Sequence, residues 1–321
     1  MKYYIGIDGG GSKSDFVLCD EKAIILAEWT GPGCHYLQWG YQGLSSLIEE
    51  GISQVCKIAK INQDEIAYSF FGCAGYGDVK EDSIKIEEAA EKAFGNIPYA
   101  IANDCENAFT GALAGQDGIN IIAGTGSIGF GRNKGQSKRC GGWHHAIGSD
   151  EGSAYWIGWS MLKSFTRQSD GRDEKTALYE LLKRELELND DGEIIKRVVE
   201  EWDLDRTKIA GLAKLIGQLC ESKDPCALDI VERAAHELAD IAIALNKELG
   251  FTGKTLVSGT GGVFNLGDKL IKPFAQKLED GGLKYVTPQL SPKCGALILA
   301  MQSDGIEIRE DVIEGLKKGY M

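Results

Sequence analysis

Two glycine-rich turns set between β-rich runs constrain this chain more than any other feature. The first lies in YYIGIDGGGSKSD, residues 3–15, and the second in NIIAGTGSIGFGRNKG, residues 120–135. The first is not a P-loop, because Ser12 stands between Gly11 and Lys13 where G-x-x-x-x-G-K-[ST] needs the lysine directly. It is not a dinucleotide fingerprint either, because Ser14 opens no helix. Two β-rich runs follow it, 16–19 and 23–29, around the turn-forming Asp20, Glu21 and Lys22. Each glycine-rich turn therefore reads as the tip of a β-hairpin whose N–H groups can be presented to an anion, with Ser12 and Lys13 as further donors. A plain hairpin turn competes for the first stretch alone, and the recurrence of the design weakens it. A third turn, TLVSGTGGVFN at 255–265, follows the apolar pair Leu256 and Val257 and precedes a helix expected over about 266–278. It offers flat backbone to a planar ring.

Composition narrows what such turns could serve. A chain of 321 residues is long enough for two domains and a sizeable core. Its 43% hydrophobic and 26% charged fractions are those of a globular protein, without an apolar run long enough to span a membrane and without a signal-peptide pattern. A cytoplasmic location is the expectation. The nine cysteines are scattered with no CxxC pair, which argues for reduced thiols and against a disulfide framework or a thiolate metal site. The formal net charge of -13 disfavours nucleic acid as a partner. The 42 glycines, about twice ordinary usage, beside only 6 prolines point to tight turns at a ligand.

Between the turns, strands and helices alternate. Apolar residues at 44, 47, 48, 52, 55, 56 and 59 form the stripe of an amphipathic helix. A strand (68–74), a helix (about 82–94), a strand (98–102) and a helix opened by NDCENA follow. Residues 151–249 read as nearly all helical, with Pro225 at the first position of a helix. The pattern predicts two α/β domains, 1–116 and 117–290, the second with a helical insertion over about 151–249.

The stretches GIDGGGSKSD, ANDCENAF, IIAGTGSIGFG, CGGWHHAIGSDEGSAYWIG and VSGTGGVF, in this order along nearly the whole chain, resemble the N-acetylglucosamine kinase branch of the BadF/BadG/BcrA/BcrD ATPase family. That family lies within the superfamily of actin and hexokinase. The resemblance implies an α/β fold of two ribonuclease-H-like, actin-like ATPase domains with an interdomain cleft, and a C-terminal helix over about 291–321 that returns to the first domain. It implies ATP and Mg²⁺ as cofactors and transfer of a phosphoryl group to the 6-hydroxyl of a hexosamine: N-acetylglucosamine first, N-acetylmuramic acid or glucosamine as other acceptors.

The resemblance also distributes roles. Asp104 is the catalytic base, at the end of the apolar strand YAIAN, although helix N-cap is an alternative post for it. Asp8 holds Mg²⁺ through water. Gly9, Gly10, Gly11, Ser12 and Lys13 cradle phosphate, as do Gly124, Thr125, Gly126 and Ser127, while Gly261, Gly262 and Val263 carry the base of the nucleotide. Cys34, His35, Ala74, Asp104, Cys140 and Asp150 contact the sugar, and Glu151 falls in the first turn of a helix. Cys34 and Ile128 depart from the pattern of N-acetylglucosamine kinases, so amino-sugar kinase is a firmer expectation than any one sugar. The adjacent His144 and His145 point different ways on any regular element and make a poor metal pair. Trp143, Trp156 and Trp159 read as core or pocket wall. The competing functions are an ATPase activator of a 2-hydroxyacyl-CoA dehydratase, which needs clustered thiolates where only Cys220 and Cys226 are near in sequence, and a non-catalytic sugar sensor. The partners expected are a small-molecule sugar and neither nucleic acid nor membrane; a homodimer is left open.

Overall fold

Each glycine-rich hairpin opens a separate unit. One unit is Met1–Asp117 with the segment from Thr287 onward, and the other is Gly118–Val286. The computed structural model describes residues 1–318.

In the first unit, β1 (Tyr3–Gly9), β2 (Lys13–Asp20) and β3 (Ile25–Pro32) form an antiparallel meander. Helix α1 (Tyr36–Ala59) leads to β4 (Ile66–Cys73), and α2 (Lys80–Phe94) leads to β5 (Tyr99–Asn103), both parallel to β1. Helix α3 (Asp104–Leu113) closes this part. Strand order is β3-β2-β1-β4-β5. Strand β1 is central and buried on both faces, with Ile5 and Ile7 fully enclosed, so it reads as a continuous apolar run. The edge strand β3 alternates.

The second unit repeats this plan. Strands β6 (Gly118–Ala123), β7 (Ser127–Asn133) and β8 (Gln136–Gly141) form the meander. Six helices follow: α4 (Ala154–Ser169), α5 (Ala177–Glu185), α6 (Glu193–Ile195), α7 (Arg206–Gly211), α8 (Ile216–Glu221) and α9 (Pro225–Glu248). Strand β9 (Thr255–Thr260), α10 (Asp268–Asp280) and β10 (Leu283–Tyr285) complete the unit, in the order β10-β9-β6-β7-β8 with β9 parallel to β6. Read outward from its first strand, each sheet is connected identically. Edge strand β8 exposes Gln136, Ser137, Lys138 and Arg139, which keeps it from pairing with other edges. Helix α9 lays Ile230, Ala234, Leu238 and Ile241 into the core, its alanines allowing close approach.

Helices α11 (Pro292–Ser303) and α12 (Glu310–Lys318) end the described chain. A single terminal helix over 291–321 was expected; the structure has two, because Gly305 at φ 85 terminates α11, and residues 319–321 lie outside the described part. Helix α1 starts at Tyr36, ahead of the apolar stripe, and bends at Gly40, whose φ is 68. Pro225 does stand at the start of α9, with Asp224 capping it through the Ala227 N–H. Among the described residues no helix is long and apolar enough to cross a membrane.

Candidate active site

The register Gly9↔Cys73 and Cys73↔Asn103 aligns the C-terminal ends of β1, β4 and β5. Asp8, Ala74 and Asp104 therefore gather at one end of the sheet, where open α/β sheets take ligands. The β1–β2 turn is shaped by backbone: Gly10 N–H donates to Lys13 O (3.0 Å), Cys34 N–H to Gly10 O (3.0 Å) and Ala74 N–H to Gly9 O (2.8 Å). The Cys34 thiol also donates to Gly9 O (2.9 Å) and lies 3.9 Å from the Cys73 sulfur. Both thiols are buried, and the contact with Cys34 pushes Cys73 far above the ordinary thiol range. The Cys34 side chain, expected at the sugar site, braces the glycine turn from within. Lys13 pairs with Asp15 at 2.5 Å on the surface. His35 caps α1 and stacks on Tyr36, whose hydroxyl is held by Asp82.

The carboxyls at this sheet end are held in an environment that resists their charge. Burial, with Asp104 facing the Asp8 and Asp78 carboxylates, raises Asp104 to about 7, against the backbone N–H groups of Cys105 and of Asp104 itself. Burial and the cross-strand Asp15 raise Asp8 to about 6, although Asn107 and Lys13 oppose this. Asn107, fully buried on α3, donates its amide to Ile7 O and to Asp8 Oδ1, both at 3.0 Å, while its own Oδ1 has no partner. The helix N-cap is Asn103, which accepts the Cys105 N–H at 3.2 Å. The capping role considered for Asp104 is thus already filled, and Asp104 stands one residue inside the helix.

Such a site fits a divalent cation in one way only. Among the described residues no three His, Cys, Asp or Glu side chains stand together to hold a metal. A cation at Asp8 would complete its shell with water and phosphate oxygens, the habit of Mg²⁺ rather than of a caged structural metal. It would also relieve the carboxylates that now repel one another.

In the second unit, the β6–β7 turn closes with Gly124 N–H donating to Gly126 O (2.9 Å). Beneath it lies Asp150, 3% exposed and at φ 69. Its Oδ1 accepts the Ser127 N–H (3.2 Å) and its Oδ2 the Arg206 guanidinium (2.7 Å). A Cβ at Gly126 would fall 2.2 Å from Arg206 Nη2 and 2.5 Å from Asp150 Oδ1, so a side chain there would displace the Arg206–Asp150 pair. The first N–H groups of α4, from Ala154 and Tyr155, donate to Gly124 O (2.9 Å) and Thr125 O (3.1 Å). Asp150, expected to meet sugar hydroxyls, gives one oxygen to the turn and the other to Arg206 of α7.

Beside this turn opens a cavity of 740 Å³, lined by Gly124, Thr125, Gly262 and Val263 on one side and by Ala210, Gly211 and Lys214 on the other. Its size suits a nucleoside. Gly261, at φ 97, passes so near β6 that a Cβ would lie 2.5 Å from Ala123 O; Gly262 leaves open space. Gly262 thus puts no side chain into the cavity beside Val263.

Cys140, Trp143 and Glu151 lie in the second unit. Cys140, at the end of β8, is half-buried against the core of its unit. Glu151 precedes α4: Gly152 at φ 74 delays the helix, and Ser153 caps it through the Trp156 N–H (3.2 Å). Trp143 is 76% exposed, hence neither core nor wall. Asn107 and Arg206 escaped sequence reasoning. An asparagine within the apolar run of α3 was a usable signal for the first; nothing near Arg206 in sequence pointed to residues 124–127.

Duplicated five-stranded sheets, each opened by a glycine-turn hairpin, define a chain of the actin-like ATPase class. The sequence profile of the BadF/BadG/BcrA/BcrD ATPase family matches residues 5–300, and the chain belongs to that family. It is 31% identical over 313 residues to an N-acetylmuramic acid/N-acetylglucosamine kinase of Clostridium acetobutylicum, spanning 94% of this chain and 98% of that relative. It is 30% identical over 315 residues to an N-acetyl-D-glucosamine kinase of Dictyostelium discoideum, with 94% and 98% spanned. A solved structure of a candidate N-acetylglucosamine kinase from Chromobacterium violaceum superposes with a TM-score of 0.73 at 23% identity, over 93% of this chain and 99% of that one. That last likeness speaks for the fold alone.

Proposed function

We propose that the protein is an ATP-dependent amino-sugar kinase that phosphorylates the 6-hydroxyl of a hexosamine, N-acetylglucosamine first among its acceptors. The observation that carries the reading is Asp104, whose carboxyl stands at the sheet end beside Asp8 with its proton affinity raised to about 7. Phosphoryl transfer needs positioning, neutralised charge and a group that takes the hydroxyl proton late, and a carboxyl of that affinity suits the last task near neutral pH. Asp104 orients the acceptor hydroxyl and accepts its proton, with His35 and Ala74 beside it. Asp8, fixed by Asn107, is the residue that would hold Mg²⁺ through water. The N–H groups of Gly10, Gly124 and Ser127 already donate within their turns, so those of Gly11 and Ser12 in the first unit and of Thr125 and Gly126 in the second are the ones offered to phosphate, and the 740 Å³ cavity takes the nucleoside. Bound MgATP supplies an activated phosphoryl group and the charge that screens its oxygens. The kinship with kinases named for N-acetylglucosamine and N-acetylmuramic acid supports a hexosamine acceptor.

The test is ADP release by the purified protein with MgATP over a panel of N-acetylglucosamine, N-acetylmuramic acid, glucosamine and glucose. Stimulation by an amino sugar well above glucose is expected. ATP consumption that no sugar stimulates would remove the kinase reading.

A further inference from the structure

A second cavity, of 580 Å³, lies between α4 and α9 and shares no lining residue with the nucleotide cavity. Helix α4 turns Trp156, Trp159, Lys163 and Arg167 toward it, at the three- and four-residue steps of one helix face. Its first wall is aromatic. His145 meets Tyr155 edge-on at 4.8 Å, and Tyr155 stacks on Trp159 at 6.2 Å and 14°. Trp159 lines the cavity and remains 44% exposed, so part of its ring is open to a ligand.

The second wall is cationic. Arg167 is held by two hydrogen bonds to Asp173, at 2.7 and 2.8 Å. Arg233 is held by Asp229 (2.9 Å) and lies 5.3 Å over the Trp156 ring. Lys163 also lines the cavity, is exposed, and has no ion-pair partner among the described residues. Three cations against two carboxylates leave the lining net positive, on a chain whose net charge is -13. Aromatic rings receive the C–H faces of a pyranose, and an unpaired ammonium beside them receives an anion.

We propose that this cavity binds an anionic sugar, a pyranose bearing a phosphate or a carboxylate, with its ring on Trp159 and its anionic group on Lys163. The proposal does not depend on which acceptor the kinase site uses. Full-length protein is titrated with glucosamine 6-phosphate, glucuronate, glucose and inorganic phosphate, followed by calorimetry and tryptophan fluorescence. The titrations are repeated on Lys163→Gln and Trp159→Ala. Saturable binding of either sugar anion, at least about tenfold tighter than glucose and inorganic phosphate and weakened about tenfold or more in Lys163→Gln, is expected. Lys163 is exposed, so its variant should fold and keep ATP turnover within about twofold. Binding of the phosphate sugar alone identifies sugar phosphates as the class, and binding of glucuronate alone identifies sugar acids. No binding of either anion at about 5 mM, or binding that both variants leave unchanged, overturns the proposal. Inorganic phosphate binding as tightly as the sugar anions also overturns it.

Discussion

The Asp104 carboxyl, the proposed base, is buried at the expense of stability. Its folded proton affinity lies above the unfolded value, so stability is fully present below about pH 4 and is lost as pH rises through about 7. Asp104→Asn should therefore stabilise the metal-free protein at pH 8, by on the order of 1–2 kcal/mol after discounting for partial exposure, and little at pH 4. Thermal melts in chelator at the two pH values check this. The same variant should lose at least about 100-fold in kcat with little change in the KM for ATP, whereas wild-type kcat/KM should climb with pH up to about 7 as the base is freed. Near-wild-type turnover would take Asp104 out of the mechanism. Arg206 is the second residue to test. Arg206→Ala leaves Asp150 a buried, half-satisfied anion, at a cost of about 2 kcal/mol, between the values for exposed and fully buried pairs. The loosened turn should raise the KM for ATP about tenfold, while Arg206→Lys recovers part of both losses; unchanged nucleotide affinity in Arg206→Ala would make the ion pair structural only.

At the scale of elements, helix α11 lies backbone to backbone against α3. A Cβ at Gly295 would sit 2.0 Å from Asn107 O, and one at Gly111 would sit 2.3 Å from Ser291 O. Because Asn107 also holds Asp8, this helix contact sets the position of a site carboxylate. Gly295→Ala should cost about 1–3 kcal/mol through overpacking and should lower kcat as α3 is displaced. Denaturant melts and steady-state rates report the two effects separately, and an alanine tolerated in both would show that α11 has room to shift. The strands and most helices were legible in apolar periodicity. Helix ends were not, because single residues decide them: Gly152 delays α4, Asn103 takes the cap before Asp104, and Gly305 cuts the terminal helix in two.

At the scale of the whole molecule, one architecture occurs twice, and the first hairpin of each copy carries a glycine turn. Asp8 and Asp104 belong to one unit, and Asp150 and the nucleoside-sized cavity to the other. Nucleotide with Mg²⁺ at about 100 times its Kd should stabilise the protein by about 2.7 kcal/mol. Chelation of Mg²⁺ should abolish turnover and most of that stabilisation. Melts with ATP, with ATP and chelator, and with neither give the comparison, and full turnover in chelator would remove Asp8 from its metal-holding role.

The sequence by itself determined what is local: two glycine-turn hairpins, alternating strands and helices, and acidic residues at strand ends. Backbone propensity and side-chain period act over a few residues, so a single chain displays them. Tertiary structure decided the partnerships. Asn107 reaches Asp8 across 99 positions, Arg206 reaches Asp150 across 56, and Cys34 turns inward to Gly9 rather than outward. Proton affinity near 7 at Asp104 arises only when folding removes water and brings Asp8 and Asp78 near, a field that no stretch of sequence carries alone.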